Sequence, residues 1–429
     1  MSSTTHLDRP ATTQGRQHRA VRLVRVFAML GGSSQSLAGS AAALLAREVT
    51  GSDAAGGLPQ ALLVVGAGAS ALWLARLARA HGRALSLAAG ALTAAVGCAA
   101  MALGGSVGAL PAILVGSLLL GAGNTAVMLS RYAAVELEPG RSAPRAMASV
   151  LVATSVGAVI GPNLMQPSGS LLASLDVTPL IGSYVAAAVV YLVGVGIVVR
   201  ARLDLPPVGA RNLPIDGHTG RSPDVATPNG RDGALRRGPS AHTGLGVLVV
   251  ANLVMVGVMT MAPVHLAHLG GSLWVIGLVV SAHIGAMFGP SALSGWLTER
   301  IGAHGTALVS AGVLVVACAV AATAGHSTFS LGVAMVLLGA GWNGCLVSGS
   351  DLLTRGVAAG DRPRREGLGE VGMAVAAAVG GATSGLAMAR WDYSALALLG
   401  GLAASTLSAG LVLALVLGRR VRADDVSRT

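Results

Sequence analysis

The 429-residue chain is 53% hydrophobic and only 11% charged, with a mean hydropathy of +0.70, whereas a soluble domain needs about a quarter of its residues charged to cover its surface. Its net charge of +11 comes from 29 arginines and no lysine, which excludes a P-loop nucleotide site and a pyridoxal Schiff base, both of which need a lysine amine. Cys98, Cys318 and Cys345 lie far apart inside apolar runs, against a disulfide framework or a metal site and for small buried side chains.

Residues 1–22 read as a polar cytoplasmic arm. Beyond them, apolar stretches of about 20 residues recur, the length an α-helix needs to cross a hydrocarbon core. They fall near 23–46, 57–78, 84–104, 108–130, 146–167 and 178–199. The first is interrupted by Gly31, Gly32, Ser33, Ser34, Gln35 and Ser36. A secretory signal is its rival reading, but the later spans make cleavage unnecessary and favour a retained helix.

Residues 203–242 are rich in Pro, Gly, Asp and Arg without apolar periodicity, and read as a disordered cytoplasmic linker. Six further spans follow near 243–264, 273–295, 305–324, 329–350, 367–388 and 393–417, with residues 419–429 as a cytoplasmic tail. With the N-terminus inside, only Arg47 and Arg390 fall on the outer side. This positive-inside pattern puts both termini in the cytoplasm.

The pentapeptide LLGAG occurs at Leu119–Gly123 and again at Leu337–Gly341, a shift of 218. AHGRAL from Ala80 and AHGTAL from Ala303 repeat at a shift of 223. Both shifts are near half the chain, and predict two parallel six-helix halves, 23–202 and 243–418, related by an axis along the membrane normal. The continuations GAGNTA and GAGWNG imitate a dinucleotide-binding fingerprint, which needs a strand before its glycines. Here the glycines lie inside helix-length apolar runs, where they let helix backbones approach.

This arrangement resembles the major facilitator superfamily of secondary transporters. The stretch GWLTERIG carries Gly295, Leu297, Glu299, Arg300 and Gly302 at the positions of that family's loop signature. GAVIGP carries Gly157, Gly161 and Pro162, similar to the core of its antiporter motif in the fifth helix. The segments SRYAAVELEPGRSAPRAMASVLVATSVGAVIGP and MTMAPVHLAHLGGSLWVIGLVVSAHIGAMF resemble a bacterial drug-efflux-like branch. The first-half signature loop, ARLARAHGR, carries Gly82 but has Arg79 where the family carries an acid, and Ser117 replaces a basic residue of the fourth helix.

The resemblance implies an all-α membrane protein of twelve helices, with charged latches closing its cytoplasmic side. Glu299 is expected to meet Arg145. A charge-swapped latch would join Arg79 to Glu366 and Glu370, one turn apart; the plainer reading gives the acids to a helix N-terminus and Arg79 to the inside rule.

Ionisable groups deep in a membrane point to function. His283, mid-span, is the first candidate proton carrier, with Glu370 and Asp351 next; a neutral histidine bonded between helices is the structural alternative. Polar residues share faces by helical spacing: Gln35 in the first span; Asn124, Met128 and Arg131 in the fourth; Asn252, Met255 and Met259 in the seventh; Trp342 and Asn343 in the tenth. In this family these spans line the cavity, although amides also tie helices together. Amides, methionines and one deep tryptophan suit an amphipathic solute.

The sequence therefore predicts a proton-coupled exporter of amphipathic drug-like or metabolite-like molecules in the bacterial plasma membrane. It is expected to be monomeric, with the proton gradient as energy source and no cofactor, metal or nucleic acid. The alternative is an uptake carrier for a small polar solute. A membrane enzyme or sensor is remote, for there is no HExxH, GxSxG or CxxC.

Overall fold

The computed structural model describes residues 11–137, 143–171, 178–203, 239–355 and 362–426. Its helices are α1 (Ala11–Thr50), α2 (Leu58–His81), α3 (Arg83–Val107), α4 (Leu110–Leu137), α5 (Ala143–Ile160), α6 (Met165–Leu171), α7 (Pro179–Leu203), α8 (Pro239–His268), α9 (Leu273–Phe288), α10 (Ser291–Thr323), α11 (Thr328–Thr354), α12 (Arg362–Arg390) and α13 (Tyr393–Val426). Short 3-10 turns cover Asp53–Ala55 and Gly161–Leu164. No strand occurs among the described residues.

Among the described residues, ten helical segments are long and apolar enough to cross a membrane, against twelve spans expected. The polar Gly31–Ser36 run takes α1 out of that count, and Leu273–Thr323 enters it as one 51-residue segment. At about 1.5 Å per residue that segment is more than twice a hydrocarbon core. Gly302, at φ 76°, ψ 162°, breaks its helical geometry. α1 begins at Ala11, inside the expected arm, and α13 runs to Val426, through the expected tail. No proline stops either run. Most of the linker lies outside the described residues.

The same six neighbour pairs recur in each half. In residues 11–203, α1 packs on α4, α5 and α7, α3 on α4 and α7, and α2 on α4. In residues 239–426, α8 packs on α11, α12 and α13, α10 on α11 and α13, and α9 on α11. The repeated glycines sit at matching joints. A side chain at Gly121 would strike the α2 backbone at Leu63 and Ala67, and one at Gly339 the α9 backbone at His283. Gly123 faces Ala94 of α3, and Gly341 faces Leu314 of α10. LLGAG is thus a double packing joint, not a phosphate cradle.

The second repeat needs a correction of register. Gly82 (φ 90°, ψ 160°) and Gly302 share one left-handed backbone conformation, one that suits glycine. Gly302, not Gly305, is therefore the counterpart of Gly82, a shift of 220 that agrees better with LLGAG. The histidines of the two AHG triplets are three residues out of step.

Between the halves, α2 packs on α12, α1 on α8, and α5 with its 3-10 turn on α9. The ends holding Gly82 and Gly302 are termed inner, and the ends near Asp53, His268 and Trp391 outer, following the arginine pattern.

Candidate transport pathway

The polar run of α1 lies buried or half-buried among α4, α5 and α7. Gln35 is half-buried, and its Oε1 accepts a 2.8 Å hydrogen bond from the Tyr191 hydroxyl of α7. Against this run the fifth-span motif closes tightly. A side chain at Gly157 would meet the Met29 carbonyl, and one at Gly161 would meet the Ser33 carbonyl and Ser36 Oγ. Pro162 has no N–H to continue the helix, and the chain turns 3-10 there. The freed geometry brings the next residue, Asn163, across to the other half. Its Nδ2 donates to Ser281 Oγ of α9 at 2.7 Å and to the Val159 carbonyl at 3.2 Å, while Gly277 lies against the Pro162 carbonyl. Neither Asn163 nor Ser281 was expected from sequence; the signal available was an amide placed directly after a GP step.

A second break, at Gly289–Pro290, separates α9 from α10 and is clamped by Asn343 of α11. Asn343 Nδ2 donates to the Met287 carbonyl at 2.7 Å and to Ser291 Oγ at 2.9 Å, and its Oδ1 accepts from Ser294 Oγ at 2.6 Å. Its amide is thus engaged on both sides by the helix break. Asn252 is engaged as well: Oδ1 accepts from Trp342 Nε1 at 3.0 Å, and Nδ2 donates to the Met373 carbonyl of α12 at 2.7 Å. Buried polar groups in hydrocarbon need such partners. Met255 is buried, and Met259, Asn124, Met128 and Arg131 are half-buried. Trp342 meets Phe288 edge to face, with centroids 6.4 Å apart.

His283 is wholly buried between α9 and α11. Its Nδ1 lies 2.7 Å from the Met335 carbonyl, a geometry that places the proton on Nδ1, because a carbonyl only accepts. Nε2 is then a lone-pair acceptor, buried and without a partner among the described residues.

The outer end is closed by the α1–α2 loop. A side chain at Gly57 would strike the Gly381 carbonyl of α12, and one at Gly385 would sit 2.7 Å from the Asp53 and Ala54 carbonyls. Arg47 Nε lies 2.9 Å from Asp53 Oδ1, and His268 Nε2 reaches the same oxygen at 3.4 Å. Asp53 and His268 belong to opposite halves. His265 stacks on Tyr393 beside them, with centroids 4.4 Å apart.

The inner end is different. Gly295 and Leu297 are half-buried, and Glu299 and Arg300 are exposed. The Arg300 guanidinium sits 5.3 Å over the Trp296 ring of its own helix. Asp351 pairs with Arg355 at 2.6 Å, one turn along, and Glu370 is exposed. No ion pair joins the halves at this end among the described residues. The side chains of Arg79, Arg145 and Glu366 lie outside the described residues.

Comparison with known proteins agrees with this architecture. The family model described as Major Facilitator Superfamily matches residues 26–360. An uncharacterized MFS-type transporter of Bacillus subtilis, YdeG, is 33% identical over 403 residues, 92% of each chain. The riboflavin transporter RfnT of Brucella anthropi is 26% identical over 340 residues, 78% of this chain and 80% of that one. Among solved structures, a bacterial homolog of the human lysosomal transporter Spinster superposes with a TM-score of 0.66 at 12% identity, covering 93% of this chain and 95% of that one. The nucleoside transporter NupG gives 0.65 at 13%, covering 93% and 98%. The chain belongs to the major facilitator superfamily: it is a multi-pass membrane protein and a secondary transporter of small molecules, not an enzyme.

Proposed function

We propose that the protein exports a neutral amphipathic organic solute in exchange for protons, by alternating access of two six-helix halves, 23–202 and 243–418, with both termini cytoplasmic. The observation that carries this reading is the distribution of charge. All 18 acidic residues fall outside the middle of the expected spans, so the interior offers amides, methionines and Trp342 in place of a carboxylate. A cationic solute would lack a counter-charge there. Export draws on the resemblance of the fifth-span motif, whose glycines seat α5 against α1 and whose Asn163 reaches α9. His283 is the proton carrier of this reading, through an Nε2 that is buried and unpartnered, since Asp351 is engaged by Arg355 and Glu370 lies near the inner end.

A second reading, uptake of a small polar solute by symport or uniport, draws on the likeness to a transporter named for riboflavin. Sealed vesicles holding the purified protein and a lumenal pH dye separate the two. Solute-dependent proton movement opposite to solute flux, lost in His283→Ala, is expected for antiport with His283 as carrier. Movement that persists in His283→Ala shifts coupling to Glu370 or Asp351. Solute flux without proton movement, or with movement in the same direction, overturns the export reading in favour of the second.

A further inference from the structure

We propose that Phe288 and Trp342 form an aromatic wall that binds the flat ring of an uncharged aromatic or heteroaromatic solute, with Asn252 as the residue that positions it. The inference rests on the transport reading above and names the chemical class of its solute.

Position comes first. Gly277, Ser281 and Phe288 are four and seven residues apart on α9, so they share one helical face. The first two meet the opposite half, through the Pro162 carbonyl and Asn163. Phe288 is about 10 Å further inward on that face, yet is 43% exposed. The ring therefore stays exposed on the very face of α9 that meets the opposite half further out, which assigns it to the cleft between the halves. It stands near the middle of the Leu273–Ile301 stretch that ends at the Gly302 break.

The support behind the ring is specific. Trp73, Trp274, Trp296 and Trp391 are 44–63% exposed, whereas Trp342 is 9% exposed. Its indole N–H is fixed by Asn252, itself fixed on the Met373 carbonyl, so α8, α11 and α12 jointly set the plane of the indole. The interplanar angle with Phe288 is 81°, the edge-to-face arrangement that aromatic quadrupoles favour. The exposed part of the Phe288 ring is the surface on which a third ring would stack. The chain is only 3% aromatic, so a pinned aromatic pair on this cleft is not background composition. The two amides closest to the pair, Asn252 and Asn343, are bonded within the protein, so the wall recognises a ring by its face and not by its polar edge.

The test uses the full-length protein in sealed vesicles and a panel of uncharged amphipathic solutes, each flat aromatic compound paired with its saturated analogue of similar size. The ratio of aromatic to saturated flux is read within one preparation, so a lower protein yield cancels. The native protein is expected to favour the aromatic member. Phe288→Leu, a change at an exposed position, should lower that ratio about 3- to 10-fold. Asn252→Leu, which strips the indole of its acceptor, should raise KM for the aromatic member more than it lowers kcat, with Asn252→Gln partly restoring it. A purely structural role would lower the flux of both members alike. If both are carried equally and Phe288→Leu leaves their ratio unchanged, the aromatic wall is wrong while the transport reading stands. If the native protein carries neither member of any pair, the neutral-solute reading fails and takes the wall with it.

Discussion

The outer and inner ends of this transporter are held by different forces. At the outer end, backbone meets backbone: Gly57 against Gly381, and Gly385 against the 3-10 turn Asp53–Ala55. The Arg47–Asp53–His268 cluster is added to that packing. At the inner end two described charges face their own helices, Arg300 on Trp296 and Asp351 on Arg355, while Arg25 of α1 donates to Ser149 of α5. Close packing acts over tenths of an ångström and tolerates no added atom. Ion pairs at an exposed end are worth about 0–1 kcal/mol each and respond to salt and pH. The outer closure should therefore be broken by volume, and the inner closure by charge.

The largest effect is expected from volume. Gly57→Val places atoms where the Gly381 carbonyl stands, and overpacking of that kind costs about 1–3 kcal/mol. Ser384, buried in the same joint beside Gly57, becomes a reporter as Ser384→Cys. The native thiols, Cys98, Cys318 and Cys345, are buried. Labelling of Cys at 384 by a membrane-impermeant maleimide added outside should rise about 10-fold or more in the Gly57→Val background. Unchanged labelling would mean that the glycine joint is not the seal.

Next in size is the effect expected of a charge-swapped latch between Arg79 and Glu366/Glu370, which would form when the cavity opens outward. Arg79→Glu should lower transport about 10-fold, and Glu366→Arg with Glu370→Arg should restore part of it; flux assays on the three proteins decide. Rescue in no combination leaves Arg79 as a positive-inside residue and the acids as helix N-terminal charges.

A smaller effect separates the ion cluster from the packing beneath it. Asp53→Asn removes the partner of both Arg47 and His268 and should raise outer labelling at position 384 by a few-fold at most. His268→Ala removes only the contact from the second half and should raise labelling by less than Asp53→Asn does. Unchanged labelling in both variants would exclude the cluster from gating.

The contrast between ends also marks what the sequence could tell. Helical spans, the repeat and the packing role of Gly121 and Gly339 were legible, because they follow from local hydrophobic length and from a shift near half the chain. The AHG repeat misled by three residues, since string identity carried more weight than the left-handed conformation at Gly82 and Gly302. Among the candidate pathway residues, Gln35, Asn252 and Asn343 are legible as polar residues within apolar spans. That two of them hold other elements, Asn252 the indole of Trp342 and Asn343 a helix break, depends on which neighbour each amide meets. Asn163 with Ser281, and Asp53 with His268, join residues more than 100 positions apart; no periodicity within either segment encodes that contact.

The smallest effect tests whether an outer carboxyl outside the Asp53 cluster matters at all. Glu48, in the last turn of α1, borders an outer crevice of about 560 Å³ formed with Pro179, Leu180, Leu273 and Ile276. Arg47, next to it in sequence, also lines the crevice and pairs with Asp53. Burial pushes the Glu48 carboxyl above its ordinary value of 4.5, with the Thr178 side chain acting in the opposite direction. A carboxyl raised in the folded protein holds its proton more tightly folded than unfolded. Its contribution is therefore most favourable below the unfolded value and is lost as pH rises through the folded one. Glu48→Gln should raise the thermal midpoint of the purified protein by about 1 °C at pH 7, with the difference vanishing near pH 4. Because Glu48 is partly exposed, screening keeps the effect small. A lower midpoint in Glu48→Gln at pH 7 would reverse the sign. The ionised carboxylate would then be stabilising the outer end, and charge would have to be counted there beside packing.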